Sequence, residues 1–458
     1  MKIMSVNAGS SSLKFSLFEM NDKSLIASGY FERVGLANSF YTIKFNGEKI
    51  SEEVDMPNHK VAVEILLDRL VSIGIIKDLN EIEGVGHRLA HGATKYKESV
   101  LITDEVIKDL RSLTELAPLH IPANILGIEA MKAVLPNVPM VGVYDTSFHQ
   151  TMDPVSYIYP VPYEWYEKYN IRKFGFHGTS FRYICKEIPR LLGKDNYKAI
   201  ICHLGSGGSI CAVKDGKSID TTMGFAPVCG IMMGTRSGDI DPLIIPYVME
   251  KEDKEVSEVV TDLNKKSGFL GLSGVSSDFR DIYKGVVEGN ERCKLAFDKY
   301  VRTVTNYIGS YYVELGGCDT IIFTAGLGEN ASEARLAIME KLACLGVKID
   351  LEKNQIRGEE VKISTDDSAI SCYVVPTNEE LMIALDTPLK PRKPDFLFKS
   401  LTTSSTSLSS FFITYGIING SISPLLVPII IPHTGANPIV VSTLLPSLTA
   451  QIDPPLPK

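Results

Sequence analysis

The chain has 458 residues, 44% of them hydrophobic and 22% charged, with a formal net charge of −8. This is globular composition at a length that suggests two or three domains. An acidic chain without a long basic run is a poor candidate for nucleic-acid binding, which depends on neutralising phosphates.

The N-terminus opens into "KIMSV" (2–6) and a polar turn, with no apolar segment of a secretory leader. "KIMSV", "LKFSLFEM" (13–20), "VPMVGVYD" (138–145), "KAIICHL" (198–204), "SICAVKDG" (209–216), "DTIIFTAG" (319–326) and "ISCYVVP" (370–376) read as strands. Apolar residues at helical spacing predict helices over 60–74 and 293–315. Strands alternating with amphipathic helices indicate an α/β architecture. Eight cysteines are scattered from Cys185 to Cys372 without a C-x-x-C pair. They read as reduced, mostly buried thiols of a cytoplasmic protein, and not as a disulfide frame or zinc site.

Beyond Ser400 only Asp453 and Lys458 are charged, and 11 of the 24 prolines lie at or after Pro388. An uncharged run over 411–431 has the length of a membrane span. Its prolines and polar residues, and the lack of flanking basic residues, favour a poorly ordered Ser/Thr/Pro-rich tail instead.

One turn is written twice. "KIMSVNAGSSSLKFSLF" and "KAIICHLGSGGSICAVK" are each strand, Gly/Ser turn, strand. Aligned without gaps, Asn7 matches His203, Gly9 matches Gly205, Ser10 matches Ser206 and Ser12 matches Gly208. The pair indicates two related domains facing each other across a cleft, or chance, since turns favour Gly and Ser. Such turns present N–H groups and hydroxyls to phosphate oxygens, and Lys14 is either an added cation or a solvated strand lysine. Neither turn fits a P-loop or a dinucleotide-binding fingerprint.

Other strings offer polar groups. "FTAGLGEN" (323–330) allows close backbone approach to a flat ligand, or is an ordinary turn before a capped helix. "SSDFRD" (276–281) offers Asp278 and Arg280 to a ribose or base, or forms a helix cap with a salt bridge. "GVGHRLAHGA", "APLHIPAN", "VYDTSFHQ", "FGFHGTSF" and "GTRSGDIDP" carry His87, Arg88, His91, His120, Asp145, His177 and Arg236. Seven of the eight histidines precede residue 204, which favours a polar cleft. His87 and His91 have metal-ligand spacing but no evident third ligand.

Taken in order, "NAGSSSLKF", "GHRLAHGA", "VYDTSFH", "FGFHGTS", "HLGSGGS", "MGTRSGDIDP", "SSDFR", "AGLGEN" and "PTNEELMIA" resemble the signature strings of the acetate kinase family, from residue 1 to about Thr387. The resemblance implies an α/β fold of two duplicated ribonuclease-H-like, actin-type ATPase domains around an ATP cleft. These would be residues 1–147, joined by about 381–394, and 148–380, with the tail over 395–458. It implies a homodimer that transfers the γ-phosphoryl of ATP reversibly to acetate, giving acetyl phosphate and ADP, with Mg2+ or Mn2+. No nucleic-acid or membrane partner is expected.

Carried over by position, Asn7 and Glu379 would hold the metal. Ser10, Ser12, Lys14 and the run His203, Leu204, Gly205, Ser206 and Gly207 would bind ATP phosphates. Asp278, Phe279, Arg280 and the run Gly326, Leu327, Gly328, Glu329 and Asn330 would hold the nucleoside. Arg88 would take the substrate carboxylate, His177 and Arg236 would stabilise the transition state, and Asp145 is the family's acid/base residue. Acetate is already ionised at pH 7, so Asp145 has no proton to remove and is expected to position metal or Arg88.

Ala90, Leu119, Phe176 and Pro227 would line the acyl pocket. Ala90 stands where the family often has Val, which implies room for propionate. Leu385 replaces a usual Arg, and Pro388 and Pro391 disfavour continuing the last helix, which puts the closing helix in doubt.

Overall fold

The computed structural model describes residues 1–118 and 120–387, and the backbone of two short strands at 415–418 and 421–424. The chain forms two compact units, Met1–Leu389 and Lys390–Lys458. In the second unit the described residues are β15 (Tyr415–Ile418) and β16 (Ser421–Pro424), an antiparallel hairpin. The rest of the predicted tail and of the 411–431 run lies outside the described residues. Among the described residues no helix is long and apolar enough to cross a membrane.

The first unit holds two sheets. The larger comprises β1 (Lys2–Gly9), β2 (Ser12–Glu19), β3 (Ser24–Glu32), β4 (Phe40–Phe45), β5 (Glu48–Glu53), β6 (Ile82–Leu89), β7 (Val100–Leu101) and β8 (Met140–Tyr144), in the order β5-β4-β3-β2-β1-β6-β8-β7. The smaller comprises β9 (Lys198–Leu204), β10 (Gly208–Lys214), β11 (Lys217–Thr221), β12 (Thr320–Thr324), β13 (Val361–Lys362) and β14 (Ser371–Val374), in the order β11-β10-β9-β12-β14-β13.

The two sheets share one plan. In each, a three-strand antiparallel meander (β3-β2-β1, β11-β10-β9) continues into two parallel strands (β6-β8, β12-β14). The repeated turn is the first hairpin of each copy. The copies differ by one residue, so the gapless alignment holds only up to the turn. Gly9 pairs with Ser12 around two residues, while Leu204 pairs with Gly208 around three. Asn7 therefore faces Lys14, but His203 faces Ser209.

Burial follows from sequence. The inner strands β8 and β12, "MVGVY" and "TIIFT", are buried at every residue, as parallel strands covered on both faces require. The edge strand β5, "EKISEE", is almost wholly exposed, and its charges discourage edge pairing. Every predicted strand is present, and the predicted helices occupy His59–Ser72 and Glu291–Glu314. Strands β3 to β7, β11 and β13 are additions to the predicted set.

That closing helix, Glu379–Asp386, exists and returns to the first sheet. A Cβ on Gly86 of β6 would stand 2.5 Å from Ile383 Cγ2 and 2.3 Å from Thr387 Oγ1, so only glycine admits the helix there. The helix ends at Asp386, where Arg182 Nη1 and Nη2 donate to its carboxylate at 2.6 and 2.8 Å and Ser99 Oγ donates at 2.6 Å.

Candidate active site

The polar residues gather at the carboxyl ends of the parallel strands, where α/β sheets place ligands. Asn7 ends β1, Arg88 ends β6 and Asp145 follows β8. Arg88 grips Asp145 with a planar fork: Nη2 donates to Oδ2 at 2.6 Å and Nε to both oxygens at 3.1 and 3.2 Å. Its Nη1 reaches Asn7 Oδ1 at 3.4 Å. Asp145 is 2% exposed and also accepts from the Thr179 hydroxyl at 3.3 Å. The neighbouring Asp145 charge, opposed by burial, holds the Arg88 guanidinium above its ordinary pKa.

The second sheet brings His203 to the end of β9 and packs it on His177, with ring centroids 4.1 Å apart and planes at 20°. His177 precedes the helix Gly178–Leu192 in a left-handed conformation, φ 57°, unusual for a residue with a side chain. The cause is local. Gly178 N–H donates to Asp145 O at 2.9 Å, an approach so close that a Cβ on Gly178 would lie 2.1 Å from that oxygen. His177 Nδ1 bonds Ser209 Oγ at 2.8 Å, and His203 Nδ1 bonds Ser180 Oγ at 2.8 Å.

Both imidazoles sit below their ordinary pKa. For His177 the causes are burial, then His203, Arg88 and Arg236; His203 is lowered to about 3 by burial and then Arg88. Arg236 joins them across the turn: a Cβ on Gly207 would stand 3.3 Å from Arg236 Nη1 and 3.8 Å from His177 Nε2. Arg236 Nη1 donates to Pro227 O at 3.1 Å and has no carboxylate partner among the described residues.

Beside the turn lies a cavity of about 580 Å³ lined by Gly205, Ser206, Phe279, Gly326, Leu327 and Asn330, among others. Asp278 and Arg280 stand at its wall, paired with each other, and the Asp278 carboxylate accepts Arg280 N–H at 2.8 Å to cap the helix Phe279–Val287. The cap with salt bridge is thus formed, at the edge of the cavity. Glu329 and Gly328 are not among the residues that line the cavity. Glu329 Oε1 accepts the N–H groups of Ala325 and Thr377 at 2.7 and 3.0 Å, and Gly328 O accepts from the buried Arg335 at 2.9 Å.

A small cavity of about 20 Å³ touches Asn7, Lys14, Arg88, Glu379 and Glu380. Burial lifts the Glu379 carboxyl to about 7, helped by Asp145 and Glu380 and opposed by Arg88 and Lys14. An amide oxygen with carboxylates is a hard oxygen donor set. It fits a divalent cation that keeps several waters and shares substrate phosphates. Ser10 and Ser12 border the first turn, where His59 Nε2 braces Gly9 O at 2.7 Å. Leu204 is buried beneath the second turn.

Of the residues expected to line an acyl pocket, Ala90 and Pro227 are half-buried and Phe176 is buried, 5.8 Å from the His91 ring. Leu119 lies outside the described residues. Ala90 N–H donates to Asn124 Oδ1 at 3.2 Å, and Asn124 Nδ2 to Ala8 O at 2.9 Å, which fixes the ends of β6 and β1 together.

Sequence reasoning missed Ser180, Ser209, Thr377 and Arg335. The signal for Ser209 was its place opposite His203 in the second hairpin, hidden by the one-residue difference between turns. His120, noted in sequence but given no role, has its imidazole lowered by desolvation and by the charges of Arg88 and Arg236. His87 and His91 are both buried, which holds their imidazoles below the ordinary pKa; among the described residues no group of three or more His, Cys, Asp or Glu is placed to hold a metal.

Residues 2–385 match the acetokinase family. Acetate kinases of Bacillus velezensis and Bacillus subtilis are each 54% identical to this chain over 387 residues, which is 84% of this chain and 98% of theirs. Among solved structures, an acetate kinase of Porphyromonas gingivalis superposes with a TM-score of 0.81 at 44% identity. A propionate kinase from Francisella tularensis does so with 0.80 at 39%. Both comparisons cover 84% of this chain and 98% of the other.

Proposed function

Because the chain belongs to the acetokinase family and works as an acetate kinase, we propose how its own residues divide the transfer of the ATP γ-phosphoryl to acetate, giving acetyl phosphate and ADP. The observation that carries this division is the convergence of Arg88, His177 and Arg236 at the ends of the two sheets. Phosphoryl transfer leaves little covalent work to the protein and much positioning and charge stabilisation.

Arg88 receives the acetate carboxylate with Nη1, its Nε and Nη2 being held by Asp145. Asp145 fixes that fork and abstracts no proton, since an acetate with a pKa in the carboxylate range is ionised at pH 7. The tautomer that suits this role has Ser209 Oγ–H donating to His177 Nδ1 and the hydrogen on Nε2, so that a neutral N–H would face the transferring group alongside Arg236. Such donors stabilise charge that develops in the transition state. Ser10, Ser12, Lys14 and the turn Gly205–Gly207 cradle the phosphates, and the 580 Å³ cavity takes the nucleoside. Asn7 and Glu379 would hold the Mg2+ or Mn2+, which supplies charge neutralisation to the phosphates when bound.

The halves around the two sheets, 1–147 with the closing segment and 148–380, act as the two jaws of this cleft. A homodimer is supported by large apolar side chains left in solvent, among them Tyr163, Trp165, Tyr169 and Tyr247. Free cysteines support a cytoplasmic setting. Ala90 favours propionate as a second substrate.

A coupled ADP-release assay with acetate, propionate and butyrate tests the assignment. Acetate-dependent ADP release is expected, and its absence sinks the reading. Asp145→Asn separates the roles of that residue. Activity recovered by raising pH alone, as for a lost base, would contradict the positioning role.

A further inference from the structure

The glycine turn beside the nucleoside cavity, Ala325–Asn330, begins in a strained conformation. Ala325 has φ 65°, in the left-handed region that side chains disfavour. Its N–H is held by Glu329 Oε1 at 2.7 Å, and the same oxygen accepts the Thr377 N–H at 3.0 Å. One carboxylate oxygen thus ties two crossings, the segment leaving β12 and the segment leaving β14. The second leads within two residues to Glu379.

Thr377 continues the connection. Its hydroxyl bonds Ser180 Oγ at 2.8 Å, and Ser180 Oγ bonds His203 Nδ1 at 2.8 Å. His203 stacks on His177, whose Nδ1 is held by Ser209. Ser180, Thr179 and His177 are consecutive with Gly178 at the start of one helix, so the same helical turn holds Asp145 through Thr179. An unbroken set of hydrogen bonds and one ring stack therefore runs from the wall of the nucleoside cavity to the transferring group.

We propose that Glu329 is a positioning residue, which sets the strained turn at Ala325 and, through Thr377 and Ser180, the placement of Glu379 and of the His203–His177 stack. It does so without touching the nucleotide. Its neighbours in the turn, Gly326, Leu327 and Asn330, line the cavity, and it does not. The inference rests on the acetate kinase reading and adds to it a physical connection between the nucleoside wall and the residues of transfer. The connection is static in kind. It needs acceptors in the right place and no proton movement, so an amide oxygen at residue 329 serves in part where alanine cannot.

The test compares Glu329→Ala and Glu329→Gln in the full-length chain. Steady-state ADP release gives kcat at saturating ATP and acetate, and equilibrium dialysis gives the Kd for ADP. Wild-type enzyme without acetate-dependent ADP release would remove the kinase reading itself; every other comparison addresses Glu329. A displaced constellation costs about 100-fold in rate, so Glu329→Ala is expected to lose about that much kcat while the ADP Kd stays within about 3-fold. Glu329→Gln is expected to recover all but about 10-fold. An ADP Kd raised more than 10-fold with kcat intact would make Glu329 a nucleotide contact and overturn the proposal. Equal damage from Gln and Ala would overturn it too. Should Glu329→Ala not fold, Ser180→Ala decides alone. A fall in kcat with unchanged ADP Kd supports the connection, and an unchanged kcat overturns it.

Discussion

The imidazoles of His177 and His203 stack at 4.1 Å with both Nδ1 atoms held by serine hydroxyls. Two rings so placed cannot both be charged, and burial with the nearby arginines keeps both neutral. From pH 6 to 8, kcat at saturating substrates and metal should therefore show no inflection near 6.5. His177→Ala should lower kcat by about 100- to 1,000-fold, the cost of one lost transition-state donor. A pH–rate profile checks both; a step near 6.5 that vanishes in the alanine variant would contradict the neutral assignment.

Glu379 behaves oppositely. Its carboxyl titrates at about 7 because it is buried, with Asp145 and Glu380 adding to the shift against Arg88 and Lys14. With Glu379 holding the metal as proposed, metal and proton would compete for it, so apparent metal affinity should rise by up to about tenfold per unit as pH climbs to 7, then level off. The sign for folding follows from the same shift. The folded carboxyl keeps its proton above the ordinary carboxyl value of 4.5, so the group favours the fold below that value and loses this contribution as pH rises through about 7. Mg2+ titrations of activity at several pH values, repeated on Glu379→Gln, test this. The variant should lose the slope.

In the proposed acyl pocket, Ala90 would leave more room than a valine. A methylene is worth roughly 10- to 200-fold in discrimination, so propionate should be phosphorylated with a kcat/KM within about a thousandfold of acetate. Ala90→Val should lower propionate turnover more than acetate turnover. A propionate kcat/KM more than a thousandfold below acetate in the unaltered chain would remove the wider pocket.

Asp386 ties the end of the closing helix to Arg182 on the helix that starts at His177. The pair is half to mostly buried, between the exposed and buried limits for ion pairs, so Asp386→Asn should cost about 1–3 kcal/mol. Urea unfolding followed by fluorescence measures it. A midpoint unchanged within error would show the pair to be idle.

The chain divides into the units Met1–Leu389 and Lys390–Lys458, and the family match ends at residue 385. A chain stopped after Leu389 should keep the kcat and KM of the full chain. Loss of more than about tenfold in kcat/KM, roughly 1.4 kcal/mol at the transition state, would give the later residues a part in catalysis.

Much of this was legible in sequence because strands and their carboxyl-end residues are local features. "KIMSVNAG" announces both β1 and Asn7, and "KAIICHL" both β9 and His203. What stayed hidden depends on chain segments far apart. Nothing near Glu329 tells that its carboxylate meets Thr377, 48 residues on. Nothing near Ser180 tells that it bonds Thr377 and His203. The one-residue difference between the turns escaped a gapless alignment because Gly and Ser fill both, and only pairing across the strands shows that Ser209 stands opposite His203. The proline-rich break after Thr387 cast doubt on the closing helix, yet that helix needs only Glu379–Asp386, and its partner surface had been prepared by Gly84 and Gly86.

Those two glycines have a consequence for biosynthesis. β6 offers them bare until Ile383 and Thr387 arrive to cover them, and these residues leave the ribosome roughly 300 positions later, about 15–60 s at ordinary translation speeds. Over that interval the nascent N-terminal half exposes an unfinished apolar seam, while the strands of the second sheet emerge in sequence and can pair. Chaperone occupancy during translation should therefore concentrate on the earlier half, although it is made first.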